Sequence, residues 1–282
     1  MRFCALVMSI IEIDPKTCNK CGICALECPR RIITIPEGGL PQIAASAEAS
    51  CNVCGHCVAV CPKGSLSHCD SPLESSPSME KGLIVTPEQV EQLLKGRRSA
   101  RVFKDRPVSR QIITRLIEDA RYAPTGHNLQ EVEWLVIDDK KELERIEELG
   151  IEWLEWVIKN LPQVAADSNM QEKLERQKLK RDAFLRGAPV LIVAHANKNS
   201  LASLAGIDSA NALSYLDLAA NSLGLATCWA GYVYIMANTF PPVTAALALP
   251  EDHAAYGCMM LGYNKFKYYR IPCRKAPRIT WR

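Results

Sequence analysis

Two stretches of the sequence share one cysteine pattern, CNKCGICALECP at residues 18–29 and CNVCGHCVAVCP at residues 51–62. In both, the spacing is C-x2-C-x2-C-x3-C followed by proline. Three thiolates in one loop, with a fourth close behind, are the soft ligands that iron–sulfur clusters use. Gly22 and Gly55 supply the backbone freedom that such a loop needs to turn around a bulky group.

The doubled pattern predicts two 4Fe–4S clusters, with the fourth cysteine of each stretch binding the cluster of the other stretch. Zinc sites or disulfides are the alternative, but zinc sites typically show two separated C-x2-C pairs. Cys4 and Cys69 lie outside the pattern and are interpreted as unligated thiols, with an additional cluster ligand as the alternative for either. The expected ligands are Cys18, Cys21, Cys24 and Cys61 for one cluster, and Cys51, Cys54, Cys57 and Cys28 for the other.

The thirteen cysteines among 282 residues fit either a secreted disulfide scaffold or thiolate ligands in a reducing compartment. We expect no signal peptide in the opening residues, and no apolar stretch reaches the roughly 18 residues of a membrane span. We therefore expect a cytoplasmic protein without a membrane partner. With 34 basic and 31 acidic side chains, nothing favours a nucleic-acid partner, and none is expected.

A Ser- and Pro-rich segment near residues 70–81 indicates a linker. The predicted domains are a two-cluster domain over 1–70, a linker over 71–84 and a larger domain over 85–282. The larger domain mixes helix and strand signals, so the fold class is α+β. Expected helix starts are Thr86 and Ser109; other expected helices cover 168–185 and 211–223, the second ending at Gly224, and expected strands cover 134–137, 190–194 and 257–261.

Four segments of the larger domain carry weaker signals. The arginines of RRSARVF (97–103) suit a phosphate, although a solvated basic loop is an equal alternative. In APTGHNLQ (123–130), the amides of Asn128 and Gln130 suit the polar edge of a flat ligand. LGLATCWAG (223–231) is interpreted as the end of an apolar helix and a turn, and a second basic group consists of Arg270, Arg274 and Lys275.

In this order, these segments resemble the nitroreductase family of FMN-dependent oxidoreductases over residues 90–282. The matching motifs are RRSxRxF, A-P-[ST]-x-x-N-x-Q and G-L-G-T-C-W-x-G, with Ala226 replacing a glycine. Residues 10–69 resemble bacterial two-cluster ferredoxins. The resemblance implies a central mixed sheet flanked by helices, an intertwined homodimer and FMN at the subunit interface.

Site residues follow from the resemblance by position. The FMN phosphate and ribityl chain are expected at Arg97, Arg98, Ser99 and Arg101, with Arg274 and Lys275 closing around the phosphate. Contacts from the partner subunit are expected at Pro124, Thr125 and Asn128, with Gln130 in the same loop. The isoalloxazine ring is expected along Trp229, Ala230 and Gly231.

No obligatory catalytic side chain emerges. His127 and Tyr232 are interpreted as neighbours of contact positions, with the role of proton donor as the alternative for each. Cys228 is interpreted as a small buried residue, and His195 and His253 as isolated surface or core residues. The expected activity is relay of single electrons from the clusters to FMN, which reduces a nitroaromatic, quinone or enone-like acceptor. The donor is an external ferredoxin or NAD(P)H. A non-enzymatic sensor or carrier, or specialised flavin chemistry such as reductive dehalogenation, are the alternatives.

Overall fold

A computed structural model describes residues 9–44, 47–179, 184–200 and 202–282 of the chain. The chain forms two compact units. The first holds the described residues up to Ile84 together with His127–Leu129, and the second holds Val85–Gly126 and the described residues from Gln130 to Arg282.

The first unit consists of short elements around the two cysteine stretches. Strand β1 pairs antiparallel with β4, Ile11 opposite His68, and β2 pairs antiparallel with β3. Gly22 and Gly55 both have left-handed backbone angles, with φ of 80° and 70°, at the starts of α1 and α3, as the sequence predicts. The elements are β1 Ile11–Ile13, α1 Ile23–Glu27, β2 Ile33–Thr34, β3 Gln42–Ile43, α2 Ala47–Ser50, α3 His56–Ala59 and β4 Leu66–His68.

Two short 3-10 turns, Leu73–Ser75 and Lys81–Leu83, follow β4 before the second unit begins. The elements of the second unit are α4 Pro87–Gly96, α5 Arg110–Ala120, β5 Glu133–Ile137, α6 Lys140–Asn160, α7 Pro162–Asp167, α8 Met170–Lys178, β6 Val190–Asn197, α9 Ala202–Ser222, β7 Ala226–Trp229, α10 Gly231–Thr239, α11 Pro241–Leu247 and β8 His253–Gly262.

Helix starts in the second unit follow local capping chemistry. The Thr86 hydroxyl accepts a hydrogen bond from the Gln89 backbone N–H, and the Gln89 side chain accepts one from the Thr86 N–H, a complete capping box. The Ser109 hydroxyl likewise accepts from the Ile112 N–H at the start of α5. Both predicted starts are confirmed, because each depends only on residues within one helical turn.

The sheet of the second unit has the strand order β5-β6-β8-β7. Strand β6 is buried on both faces: Leu191 and Val193 join one core with α6, α10 and α11, whereas Val190, Ile192 and Ala194 join another with α5 and α9. Helices therefore cover both faces of the sheet, which confirms the α+β class.

The direction of the strands differs from the expected mixed sheet. All three pairings among the described strands are antiparallel. Strands β6 and β7 run in the same direction, but β8 lies between them and runs oppositely. Strands β5 and β8 likewise share a direction with β6 between them, so no two strands that share a direction are hydrogen-bonded to each other in this sheet.

Three element predictions need correction. The charged helix expected over 168–185 appears as α8 only from Met170 to Lys178, because Asn169 adopts a left-handed conformation before it; residues 180–183 lie outside the described residues. Helix α9 begins at Ala202 rather than at residue 211, and Gly224, with φ of 72°, follows its end. Ala226–Trp229 is strand β7 rather than a turn, because it pairs with β8.

Among the described residues, no helix is both long enough and apolar enough to cross a membrane.

Candidate cofactor sites

The first cavity of the cluster unit is lined by the four cysteines predicted for one cluster, Cys18, Cys21, Cys24 and Cys61. Apolar side chains, among them Ile13 and Leu66, form much of the remaining wall. Ser65 lines the same cavity, and its buried hydroxyl has no hydrogen-bond partner among the described residues. Four thiols and an unpartnered polar atom around one space fit a cluster with sulfur atoms that accept hydrogen bonds.

The second cavity is lined by the other predicted set, Cys28, Cys51, Cys54 and Cys57. Its wall is more polar than that of the first cavity, since Arg30, Asn52, His56 and His68 contribute to it. The structure thus brings each fourth cysteine to the three cysteines of the other stretch.

Backbone N–H groups point at the cysteine sulfurs. The Ser65 N–H donates to Cys61 Sγ at 3.2 Å, and the Val53 N–H donates to Cys51 Sγ at 3.4 Å. Burial raises the pKa of Cys61, but the N–H donors of Ser65 and Lys63 outweigh it, so the net pKa is lowered. Such donors favour thiolate, the form that binds iron.

Burial, together with the crowding of the thiols, has the opposite effect at two positions. Burial, followed by the nearby charges of Cys54, Cys51 and Cys28, raises the pKa of Cys57 to about 11. The pKa of Cys24 is raised mainly by burial as well. Without a cation, these thiols resist sharing negative charge; bound iron relieves that repulsion, so the site fits a metal cluster.

His68 distinguishes the second cavity from the first. It is buried on β4, and its Nδ1 accepts a hydrogen bond from the Asp70 backbone N–H at 3.0 Å. In a neutral imidazole the other nitrogen then carries the proton. We therefore assign the 3.5 Å contact between His68 Nε2 and Cys51 Sγ as an N–H donor to the sulfur. No motif indicates this contact, because the histidine lies 17 residues from the cysteine in the chain.

Of the cysteines outside the pattern, Cys69 is half-buried, and its backbone N–H donates to the Ile10 carbonyl oxygen at 3.0 Å. Cys4 lies outside the described residues. The interpretation of both as unligated thiols stays a prediction.

In the second unit, Arg97 forms an ion pair with a buried carboxylate. Its Nη1 lies 3.1 Å from Asp217 Oδ2 on α9, and Asp217 Oδ1 accepts a 2.5 Å hydrogen bond from the Thr227 hydroxyl on β7. The pair therefore holds the guanidinium close to β7. Because a guanidinium has five N–H donors, this pair leaves capacity for an anion.

Ser99 and Arg101 lie near Cys228 at the same end of β7. Burial raises the pKa of the Cys228 thiol, while the charges of Arg186 and Arg101 and a hydrogen bond with Ser99 oppose the rise. Several cationic groups therefore converge on one small region, a setting that favours a phosphate. Arg186 was not predicted as a site residue, because it lies 85 positions after Arg101 with no motif around it.

The Arg98 side chain lies in a cavity beside α4, whereas Arg97 pairs with Asp217. It lines a cavity with α4 side chains and with Lys267 and Tyr268, and its Nη2 donates to the Lys95 carbonyl oxygen. Its Nε is buried without a hydrogen-bond partner among the described residues. An unpartnered buried guanidinium N–H is costly, and an anionic ligand would satisfy it.

The APTGHNLQ loop has an unusual backbone. His127, Asn128 and Gln130 all have positive φ, between 52° and 57°, which costs free energy in residues other than glycine and is common at functional sites. Gly126 N–H donates to both carboxylate oxygens of the buried Asp208 at 3.1 Å. A Cβ at Gly126 would lie 2.3 Å from a methyl carbon of Leu204, so a larger residue here would require the Leu204 side chain to move.

The other predicted residues of this loop have identified partners. The Thr125 hydroxyl accepts from the Gln130 N–H at 3.2 Å, and the Pro124 carbonyl oxygen accepts from Asn211 at 3.4 Å. The Asn128 amide nitrogen donates to the carbonyl oxygens of Asn52 and Val53, at 3.1 and 3.0 Å. The flavin contacts predicted for Asn128 and its neighbours stay predictions.

The Trp229–Gly231 segment links β7 to helix α10. Ala230 is buried, and its N–H donates to the Cys258 carbonyl oxygen at 2.8 Å. Trp229 is 43% exposed, and a Cβ added at Gly231 would meet open space. The segment thus offers an exposed indole and a helix N-terminus with room for a ligand. Arg274 and Lys275 lie in the exposed segment that follows β8.

Two histidines that are isolated in the sequence meet in the structure. His195 on β6 and His253 at the start of β8 have Nδ1 atoms 2.9 Å apart. Their interpretation as isolated residues is therefore wrong, because the antiparallel pairing of β6 with β8 brings these two positions together.

Comparison with known proteins agrees with both parts of this geometry. The nitroreductase family model matches residues 94–263, and a 4Fe-4S dicluster domain model matches residues 17–66. A Methanothermobacter thermautotrophicus protein, whose name includes the words NADH dehydrogenase/NAD(P)H nitroreductase, is 24% identical over 182 residues, covering 64% of this chain and 79% of that protein.

Two solved structures are also similar. A Bacteroides fragilis nitroreductase with bound FMN is 26% identical, with a TM-score of 0.57, covering 68% of this chain and 97% of that one. A Desulfitobacterium hafniense nitroreductase with bound FMN, 24% identical with a TM-score of 0.54, covers 70% of this chain and 99% of that one and shares the fold.

The fold and the matched residues define an oxidoreductase-type domain joined to a ferredoxin-type domain. The chain belongs to the nitroreductase family and carries an N-terminal 4Fe–4S dicluster domain.

Proposed function

We propose that the chain is an iron–sulfur flavoprotein in which two 4Fe–4S clusters pass single electrons to FMN for the reduction of a small organic acceptor. Nitroaromatics, quinones and enone-like compounds are the acceptor classes. One observation carries the proposal: two cavities, each lined by four cysteines, occur in the same chain as a nitroreductase-family domain. Bound clusters supply one-electron transfer, and bound FMN gathers two electrons for the acceptor.

The cysteines that line each cavity would hold one cluster, Cys18, Cys21, Cys24 and Cys61 in the first and Cys51, Cys54, Cys57 and Cys28 in the second. The N–H donors at Cys61 and Cys51 stabilise negative charge on the ligand sulfurs. The proposed extent of this cluster domain is residues 1–70, with a linker over 71–84 and the flavin domain over 85–282.

The FMN phosphate and ribityl chain would be held by Arg97, Ser99 and Arg101, and the unpartnered Nε of Arg98 supports a further anion contact. Arg274 and Lys275 would complete the basic set. Trp229, Ala230 and Gly231 would lie along the flavin ring, where the helix N-terminus of α10 favours negative charge. Pro124, Thr125 and Asn128 would contribute from the partner subunit, and Gln130 of the same loop would add a further flavin contact.

A homodimer is supported by exposed apolar side chains of the second unit. Helix α4 has no buried residue, and its Leu94 is 53% exposed. In the segment after β8, Tyr269 is 82% and Trp281 87% exposed. Large exposed apolar groups of this kind mark interaction surfaces. A cytoplasmic location stays a prediction.

The donor is proposed to be an external reduced ferredoxin, because single-electron donors suit the clusters. NAD(P)H is the second donor class, supported by the name of the M. thermautotrophicus relative.

Stopped-flow reduction of the holoprotein tests the relay. Cys54→Ala removes a ligand from the second cavity, whereas Cys273→Ser changes an exposed cysteine outside both cavities. We expect flavin reduction by reduced ferredoxin to slow at least tenfold in Cys54→Ala and to stay unchanged in Cys273→Ser. Equal rates in both variants would contradict the relay, and direct reduction by NADPH in either variant identifies the second donor class.

A further inference from the structure

Three potential metal ligands lie together at one end of the sheet in the second unit. Glu133 begins β5, His195 is on β6 and His253 begins β8, and these are adjacent strands. Glu133 lies directly opposite His195 in the register. A ligand atom from each residue lies within 4.8 Å of the ligand atoms of the other two.

The two imidazoles of this cluster, those of His195 and His253, have their Nδ1 atoms close together. Their Nδ1 atoms are 2.9 Å apart, so a proton or a cation must lie between the two lone pairs. His195 is only 5% exposed. Burial, and then the neighbouring His253, lowers the pKa of His195, so a shared positive charge from a second proton is disfavoured. Neutral imidazole is the form that binds metals.

The distances suit zinc with little rearrangement. Two nitrogens at 2.0–2.1 Å from a tetrahedral Zn²⁺ lie roughly 3.3 Å apart, so the imidazoles need to separate by only a few tenths of an ångström. Glu133 is exposed, and its flexible side chain is free to swing toward the histidines. Imidazole nitrogen and carboxylate oxygen together select zinc over calcium or magnesium.

The residues around the histidines support this assignment. His253 Nε2 lies 4.0 Å from Asp252 Oδ1, which is too far for a hydrogen bond. A small shift would let this carboxylate orient a metal-binding imidazole. Asp252 is itself held by a hydrogen bond from the Asn197 side chain and by the Lys198 N–H, which donates to the Asp252 carbonyl oxygen at 2.7 Å. The orienting group is therefore fixed by the end of β6.

We propose that Glu133, His195 and His253 form a Zn²⁺ site with solvent as a fourth ligand. The bound ion would join β5, β6 and β8 at one end of the sheet. It would stabilise the folded second unit, because a metal that binds only the native state raises the unfolding temperature. This site is independent of the clusters and of FMN.

Zinc titration of the cluster-loaded, full-length protein against a chromophoric chelator tests the proposal. We expect one tight Zn²⁺ per chain, a higher unfolding temperature with Zn²⁺, and affinity reduced more than tenfold in His195→Gln and in His253→Gln. Glu251→Gln, which changes an exposed carboxylate two residues from His253, is the matched control and should bind as the parent does.

X-ray absorption at the zinc edge separates this site from cysteine sites. Coordination by nitrogen and oxygen alone supports the proposal, whereas sulfur ligands would overturn it. Absence of stoichiometric binding in the parent protein, or unchanged affinity in His253→Gln, would also overturn it. His253 is the more informative position if His195→Gln fails to fold, since His195 is the more buried of the two.

Discussion

The two units of this chain bury very different amounts of apolar surface. Among the described residues, the core of the first unit has only eight buried members, and one of them is Cys57, a predicted cluster ligand. The second unit has two cores on opposite faces of its sheet, with fully buried side chains such as Leu149 and Leu216. The first unit therefore depends on cysteine–metal bonds for stability, whereas the second is stabilised by packing.

Removal of the clusters is expected to have the largest effect, because it should unfold the first unit and leave the second unit folded. Anaerobic chelation of the iron should unfold the first unit, because five partly buried cysteines, four of them predicted cluster ligands, pack against its small core. Hydrogen exchange followed by mass spectrometry is the measurement. Amides of β1 and β4 should lose protection, and those of β6 and β8 should keep it. Full protection of β1 and β4 without iron would contradict the account.

Leu216→Ala tests whether side-chain packing stabilises the second unit. Leu216 is fully buried between α9 and the sheet, so the substitution should lower the free energy of unfolding by about 2–5 kcal/mol. Iron content per chain should not change. Leu179→Ala, at a 68% exposed position, should cost less than about 0.5 kcal/mol. A denaturant titration of both variants gives the values, and similar costs would contradict the packing argument.

Arg97→Ala tests whether this arginine of the second unit serves both folding stability and the predicted phosphate site. The substitution leaves the Asp217 carboxylate, which is 11% exposed, without its ion-pair partner. A loss of about 1–3 kcal/mol in unfolding free energy is expected, together with weaker FMN binding. Adding Asp217→Asn should restore part of the stability but not the FMN affinity, whereas Arg115→Ala, at an exposed position on α5, should change neither. Recovery of FMN affinity in the double variant would show that Arg97 acts only structurally.

His68→Leu is expected to give the smallest change and concerns the two cavities of the first unit. It removes the N–H donor at Cys51 Sγ, which stabilises the more negative, reduced cluster. The reduction potential of the second cluster should become more negative, and that of the first should stay the same. Redox titration followed by EPR gives both potentials. His68→Gln, which can still donate an N–H, should lie closer to the parent, and equal shifts in both clusters would contradict the assignment.

Features encoded by neighbouring residues were predictable from the sequence. The cysteine stretches and the Thr86 cap each depend on spacings of a few residues, so pattern alone reveals them. Strand β7 was missed because Ala226–Trp229 becomes a strand only through its pairing with β8, about 30 residues later. The end of the charged helix was wrong because the left-handed conformation of Asn169 depends on its surroundings.

Contacts that depend on strand register could not be predicted from the sequence, for a similar reason. His195 and His253 meet only when β6 and β8 pair with an irregularity between Ala194 and His195, and a shift of one residue would place His195 on the other face. His68 on β4 contacts Cys51, which lies 17 residues earlier and shares no local motif with it. Arg186 reaches Cys228 through the tertiary fold, without a local motif.

We expect one chain to carry two 4Fe–4S clusters and FMN. Anaerobic purification, followed by chemical determination of iron, sulfide and flavin, tests it most directly. We predict about eight iron atoms and eight sulfide atoms per chain, from two cubane clusters, and about one FMN per chain. A colourless protein, or one in which zinc occupies the cysteines in place of iron and sulfide, would contradict it.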